Sequence, residues 1–252
     1  MKFKVGFRTD IGMKRKQNQD NGGAFPELGL FVVADGMGGH QGGETASAMV
    51  VKLLPEYIAK ATAAPQWNPK RVLTEAISEA NRTIFRMSQE NPKLQGMGTT
   101  TTVILMHEEK LTIGHVGDSR CYYFKPNAVW QLTRDHSLVQ EKLRAGLINR
   151  EQAKTDRMKN VITRSVGFEP DVNVEIYEMV ISHGDTFLLC SDGLSGFVDD
   201  QDTLRIVREN LFDHQEDIDT AIQKTVNGLI DQANANGGED NSTAIAIQVL
   251  AE

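Results

Sequence analysis

Leu30-Phe31-Val32-Val33-Ala34-Asp35-Gly36 decides how this chain is read. The apolar run is short and rich in Val and Phe, so it reads as a strand. It ends on a carboxylate beside a turn residue. Phe187-Leu188-Leu189-Cys190-Ser191-Asp192-Gly193 repeats the arrangement, and Asp20-Asn21, Asp118-Ser119 and Asp240-Asn241 echo it beside other strand-like runs. A carboxylate at a strand end is held by a rigid sheet yet faces solvent. Several gathered together make an oxygen-rich site suited to hard divalent cations. Asp before Gly, Asn or Ser is also common turn chemistry, and that is the better account of any single one. Five of them, two in near-identical strings, favour a metal site.

Working outward, residues 3–10 and 29–35 read as strands, with a polar, turn-rich segment between them. The glycine-rich stretch Gly36-Met37-Gly38-Gly39-His40-Gln41-Gly42-Gly43 leads into a helix from about Glu44, with Ala46, Met49, Val50, Leu53, Leu54, Tyr57 and Ile58 at helical spacing. Asn68-Pro69 announces a second helix, a cap followed by a first-turn proline. Strand signals return at 99–106, 110–116, 119–124 and 128–132, with separations short enough for antiparallel hairpins. Residues 136–170 break the rhythm and read as an inserted flap, helical over Leu138–Ala145. Strands at 172–181 and 185–191, helices at about 202–211 and 216–235, and a strand at 242–249 complete the chain. Strand groups followed by helix pairs predict an α+β layered domain, its antiparallel sheets packed together with helices outside. No linker, repeat or low-complexity segment divides residues 1–252, so a single domain is expected.

The net charge of −7 argues against nucleic acid or an anionic membrane as the main partner. No stretch is long and apolar enough to span a bilayer, and the first residues lack the apolar core of a signal peptide. Cys121 and Cys190 both lie in strand-like runs and read as small buried hydrophobes of a reducing compartment, with a buried disulfide as the alternative.

The glycines after Asp35 let backbone approach a ligand closely. The stretch fits neither a phosphate loop ending in Gly-Lys-Ser/Thr nor G-x-G-x-x-G, which disfavours a nucleotide. His40 is an acid, a ligand or a polar loop residue. Arg15, in Arg15-Lys16-Gln17-Asn18-Gln19-Asp20, can fork two hydrogen bonds onto a phosphate; Lys14 and Lys16 read as solvated charges. Neither cysteine begins a Cys-x5-Arg loop, which counts against a thiolate phosphatase, and no H-E-x-x-H occurs.

In order, the chain contains Arg15-x-x-Asn-Gln-Asp20, Val-Ala-Asp35-Gly-Met-Gly-Gly-His40, Gly98-Thr-Thr, Gly114-His-Val-Gly-Asp118-Ser-Arg120, Leu132-Thr-Arg-Asp-His-Ser137, Ile162-Thr-Arg-Ser-Val-Gly167, Leu189-Cys-Ser-Asp192-Gly-Leu194 and Glu239-Asp240-Asn241. This set, spanning residues 5 to 249, resembles the metal-dependent serine/threonine protein phosphatases of the type-2C family, the compact bacterial branch above all.

The resemblance implies a four-layer αββα sandwich of two antiparallel sheets flanked by helix pairs, with residues 138–170 as a flap over the site. It implies hydrolysis of phosphoserine and phosphothreonine in proteins by a water that two metals activate, with no covalent intermediate. Asp35 would bridge two cations, the Gly36 carbonyl would complete one, and Asp192 and Asp240 would hold the other. Asp20 would orient water from behind them, and Arg15 would clamp the phosphate. Asp118, with Asp192, would hold a weaker third ion. Many family members place a general-acid His directly after Asp-Gly. Met37 stands there in this chain, so His40, three residues on, or a water on the third ion takes that role. His136 is expected to be structural, at a flap hinge. Mn²⁺ or Mg²⁺ suits the small carboxylates. The expected partners are phosphoproteins made by a serine/threonine kinase, with neither nucleic acid nor membrane, and the expected enzyme is a cytoplasmic monomer. A metal-binding pseudo-phosphatase and a hydrolase of small phosphoesters are the alternatives.

Overall fold

The structure is a computed structural model that describes residues 2–64, 66–213 and 217–250; the side chains of His40 and Lys154 lie outside what it describes. In chain order the elements are β1 (Lys2–Asp10), β2 (Asp20–Phe25), β3 (Leu30–Met37), α1 (Gly39–Ala61), α2 (Pro69–Glu90), β4 (Gly98–Thr99), β5 (Thr101–His107), β6 (Lys110–Val116), β7 (Arg120–Lys125) and β8 (Ala128–Gln131). Two short flap helices follow, α3 (Leu138–Arg144) and α4 (Arg150–Thr155). Then come β9 (Glu175–Val180), β10 (Thr186–Cys190), α5 (Asp192–Ser195), α6 (Asp200–Val207), α7 (Ile218–Ala235) and β11 (Ser242–Leu250). One sheet runs β1-β11-β10-β7-β8; the other runs β2-β3-β5-β6-β9, with β4 paired to β3, and every pairing is antiparallel.

The continuous apolar runs are explained by strands buried on both faces. In β3, Leu30, Val32 and Ala34 pack with α1 and α2, while Phe31 and Val33 point to the other sheet. In β10, Leu188 and Cys190 face α6 and α7, while Phe187 and Leu189 meet Phe31 and Val33 in the middle layer. Side chains alternate along a strand, so a strand between two apolar layers must be apolar at every position. Three cores result, one under each helix pair and one between the sheets, which is the expected four-layer sandwich. The same alternation settles the cysteines. Cys121 points between the sheets and Cys190 toward the helices, and both are free.

Two local expectations are corrected. Residues 20–25, Asp-Asn-Gly-Gly-Ala-Phe, form an edge strand where the sequence reads as turn. Their composition is poor in β-formers, and the strand exists because β3 offers a complete partner, from Asp20 opposite Asp35 to Phe25 opposite Leu30. Helix α1 begins at Gly39, a turn and a half before Glu44. Its first turn runs against β3: a Cβ at Gly36 would lie 2.1 Å from the Gly43 carbonyl oxygen. Glycine at both positions lets the helix start there despite its low helix propensity. At α2 the cap forms as expected, with Asn68 accepting from the Arg71 N–H at 3.0 Å.

Candidate metal centre and phosphate site

The five aspartates reach one end of the sandwich from different elements. Asp20 opens β2 and Asp35 lies opposite it on β3, Asp118 sits in the β6–β7 turn, Asp192 begins α5 directly after β10, and Asp240 precedes β11. The two Asp-Gly strings are placed by similar constraints. A Cβ at Gly193 would stand 1.9 Å from the Asn241 carbonyl oxygen, so only glycine lets α5 press against the start of β11. The Gly36 contact with Gly43 is of the same kind. Close backbone approach therefore accounts for that glycine without appeal to its carbonyl.

Each carboxylate is fixed through its surroundings. The Asp35 N–H donates to the Thr100 hydroxyl at 2.9 Å, and the Asp35 carbonyl accepts from the Thr99 hydroxyl and the Thr100 N–H, both at 2.8 Å. The Thr100 and Ser119 hydroxyls pair at 2.8 Å, which ties the Asp35 backbone to the turn carrying Asp118. Asp20 accepts from the Ser191 hydroxyl at 2.7 Å, and Ser191 accepts from the Thr243 N–H at 2.9 Å, so this network crosses from one sheet to the other. Asn241 accepts from the Gln19 N–H and donates to the carbonyls of Ile11 and Gln17, pinning the loop that carries Arg15. Arg15 itself donates to Asp240 Oδ2 at 2.6 Å and to the Glu239 carbonyl at 3.2 Å. His136 Nδ1 accepts from the Gly117 N–H at 3.0 Å, leaving the Nε2 proton to face Glu175 at 3.1 Å. It thus joins the Asp118 turn to the flap's return, as its expected structural role requires.

The electrostatics are those of a cation site. Buried Oδ1 atoms of Asp20, Asp118 and Asp192 find no hydrogen-bond partner in the protein. Burial pushes Asp20 up to about 7, against its hydrogen bonds from Ser191 and Thr243, and Asp192 and Asp240 add repulsion. Burial and then repulsion from Asp20, Asp192 and Asp118 hold Asp35 well above the usual carboxylate range. Asp118 is raised by burial and by Asp192 and Asp135. Asp192 is raised by burial, with a hydrogen bond from Asp35 working the other way. Unpaired buried anions are costly, and divalent cations with oxygen ligands are the partners that relieve them. Among the described residues no group of three or more His, Cys, Asp or Glu side chains is arranged to hold a metal ion.

A cavity of about 640 Å³ opens over Asp118, Asp192 and Asp240, with Arg15 on one wall and flap residues on the other. Of the residues expected at the site, Asp118, Asp192, Asp240 and Arg15 line this cavity, and Asp20, Asp35 and Gly36 do not. His40 is in the first turn of α1, and its side chain is outside the described residues. Ser191, Thr243, Asn241, Thr100 and Ser119 are the supporting residues that sequence reasoning missed. The available signal was adjacency: Ser191, Asn241 and Ser119 each neighbour a site aspartate in sequence.

A family model described as Protein phosphatase 2C matches residues 8–242. The chain belongs to the protein phosphatase 2C family. Its bacterial relatives include the serine/threonine phosphatase Stp of Listeria monocytogenes, 37% identical over 96% of this chain and 94% of the relative. The crystal structure of the Mycobacterium tuberculosis serine/threonine phosphatase PstP/Ppp superposes with a TM-score of 0.89 at 30% identity, covering 100% of both chains. A PstP catalytic domain in complex with two manganese ions superposes with a TM-score of 0.86 at 31% identity over 99% of each chain. Membership makes this protein an enzyme, a metal-dependent serine/threonine phosphatase of bacterial type. No helix among the described residues of this phosphatase is long and apolar enough to cross a membrane.

Proposed function

We infer that this phosphatase hydrolyses phosphoserine and phosphothreonine in proteins with two divalent cations, Mn²⁺ or Mg²⁺, held by Asp35, the Gly36 carbonyl, Asp192 and Asp240. The observation that carries the reading is the cluster of buried aspartates with unpartnered oxygens beside a phosphate-competent arginine. When bound, the cations supply Lewis acidity that activates a water and neutralises phosphate charge. The residues of the chain do the rest. Asp20, fixed by Ser191, presents its free oxygen from a buried position. Arg15 is half-exposed at the cavity wall and already donates to an anionic oxygen, the type of acceptor a phosphate offers. Cys121 is held well above its usual range and Cys190 is pushed up to about 12, both by burial, so neither supplies a thiolate. That supports direct attack by water with no covalent intermediate. Asp118, with Asp192, takes a weaker third cation. In this reading residues 1–252 act as one catalytic domain, with 138–170 as its flap, working as a cytoplasmic monomer on phosphoproteins made by a serine/threonine kinase.

The direct test is metal removal. Chelated protein, shown metal-free by elemental analysis, is expected to lose phosphopeptide hydrolysis and to regain it with Mn²⁺ or Mg²⁺; full activity without metal would exclude the mechanism. A second test concerns Arg15. Charge-assisted hydrogen bonds are worth about 1.5–3 kcal/mol, so Arg15→Ala is expected to lower kcat/KM by roughly 10- to 100-fold. Arg15→Lys should recover only part of this, since an ammonium cannot form the fork. Unchanged kcat/KM in Arg15→Ala would make Arg15 a loop residue that merely pairs with Asp240.

Asp118 calls for a different experiment. Asp118→Ala is expected to retain both core cations while slowing phosphopeptide turnover. An aryl phosphate, whose good leaving group needs little acid assistance, should be affected less. Metal stoichiometry and both kcat values are measured on one preparation. Wild-type rates on both substrates would leave Asp118 a turn residue.

A further inference from the structure

Residues 138–170 carry seven Lys or Arg and four Asp or Glu, a net of +3 in a chain whose net charge is −7, so the remainder of the molecule sums to −10. Residues of this basic segment line a cavity shared with Asp118, Asp135, Asp192, Asp200, Glu239 and Asp240. Several of its cations are committed. Lys142 pairs with Asp156 at 2.9 Å, and Arg164 with Glu175 at 3.2 Å. Two cavity cations from outside the flap are committed as well: Arg120 is forked onto Asp135, and Arg15 sits on Asp240. Arg150 and Lys159 differ. Both line the cavity, both are exposed, and among the described residues they are its only cations without an ion-pair partner. Arg150 stands on a firmly built element, since the Asn149–Gln152 capping box closes the first turn of α4 with bonds of 2.9 Å in both directions.

Two unpaired cations are not needed to stabilise the flap, and they are too exposed to offset the buried aspartates through solvent. Their position suits groups that enter the cavity with the substrate. We propose that Arg150 and Lys159 form a specificity surface that selects phosphoprotein segments bearing Asp or Glu beside the phosphorylated residue. This rests on the protein-phosphatase reading above and deepens it to a substrate class. The surface acts mainly on encounter and binding, because exposed complementary charge raises association rates and contributes modest, salt-sensitive affinity.

The test uses the Mn²⁺-loaded protein and phosphothreonine peptides of one backbone, with Glu or Ala at each flanking position. An aryl phosphate is run alongside. In 0.05 M salt, the best Glu-flanked peptide is expected to exceed its Ala counterpart in kcat/KM by roughly three- to tenfold, a ratio that shrinks toward one in 0.5 M salt. Arg150→Ala with Lys159→Ala should bring the low-salt ratio to about one, and Arg150→Glu with Lys159→Glu should invert it. Three results overturn the proposal: a wild-type ratio of one at every position, a ratio that both double variants preserve, or an equal loss on all three substrates. Wild-type protein that hydrolyses the aryl phosphate but neither peptide would instead overturn the protein-phosphatase reading beneath it.

Discussion

Asp35→Asn and Asp192→Asn each lower kcat on a phosphopeptide by about a thousandfold or more, with the fold intact. That is the expected result, and it follows from what each side chain does and does not hold up. In the proposed mechanism the cations would supply both the nucleophile and most of the charge stabilisation, and loss of even one preorganised donor in other active sites costs roughly 10²–10³ in rate. A neutral amide leaves a weakened ligand where the charge balance of a divalent ion requires an anion. The scaffold, however, does not depend on either carboxylate. Asp35 is anchored through its backbone to Thr99 and Thr100, and Asp192 follows a β10 strand zipped on both sides to β7 and β11. At a pH high enough to ionise these carboxylates, removing a charge that its neighbours repel should also raise the thermal stability of the metal-free protein. Kinetics, metal stoichiometry and a melting curve on each variant read all three effects. Turnover near wild type in either variant would remove that residue from the metal centre.

Ser191→Ala is the informative contrast. It leaves the expected ligands in place but deprives Asp20 and the Thr243 N–H of a buried partner. Its cost falls on stability first. This difference marks the boundary of what the sequence made legible. The aspartates were legible because each sits at a strand end beside a small or turn-forming residue, a local pattern that survives in one dimension. The Ser191–Thr243 contact links residues far apart in the chain, and a hydroxyl has no periodicity to betray its partner. The central strands β3 and β10 were legible because burial on two faces forces unbroken apolar runs. Strand β2 was not, because Asp20-Asn21-Gly22-Gly23 has turn composition and takes its conformation from β3. The start of α1 was missed for a related reason: Gly42 and Gly43 look like helix breakers, and the close approaches that require small residues there, Gly43 to Gly36 and Gly42 to Met97, are tertiary facts. Arg15 could be nominated as a phosphate ligand from its chemistry alone. Its hold on Asp240, and the role of Asn241 in pinning its loop, depend on how β1 and β11 bring residues 11–19 and 239–241 together.

Metal-free protein should lose stability as pH rises from 6.5 to above 8, and saturating Mn²⁺ should abolish that loss. The sign follows from proton counting. An aspartate whose folded pKa lies above its unfolded value near 3.8 holds its proton longer when folded. The folded state then binds more protons, and stability is lost as pH rises through the folded pKa. Asp20 does this at about 7, and Asp35 and Asp118 lie well above the ordinary range. Histidines work the other way. Burial lowers His115 to about 4 and lowers His136 as well, so both favour the folded state more as pH rises toward 6.5. Below 6.5 the two groups of residues oppose each other. Above 6.5 the unfolded histidines lose their remaining charge within about one pH unit, so their opposing effect fades across the interval and the carboxylates act alone only toward its upper end. Asp20, at about 7, gives up its remaining proton early in the interval, and Asp35 and Asp118, held well above the ordinary carboxylate range, add to the fall in Tm. Asp20→Asn should flatten part of the slope, because it removes one titrating group and relieves repulsion on Asp35. Bound cations hold the carboxylates ionised at every pH in this range, which removes the proton difference between the two states. Calorimetry of chelated and Mn²⁺-loaded protein at intervals from pH 6.5 to 8.5 makes the measurement. A metal-free Tm that stays level or rises across that interval would show that burial and mutual repulsion do not raise these carboxylates, and this account of the pocket's electrostatics would fail with it.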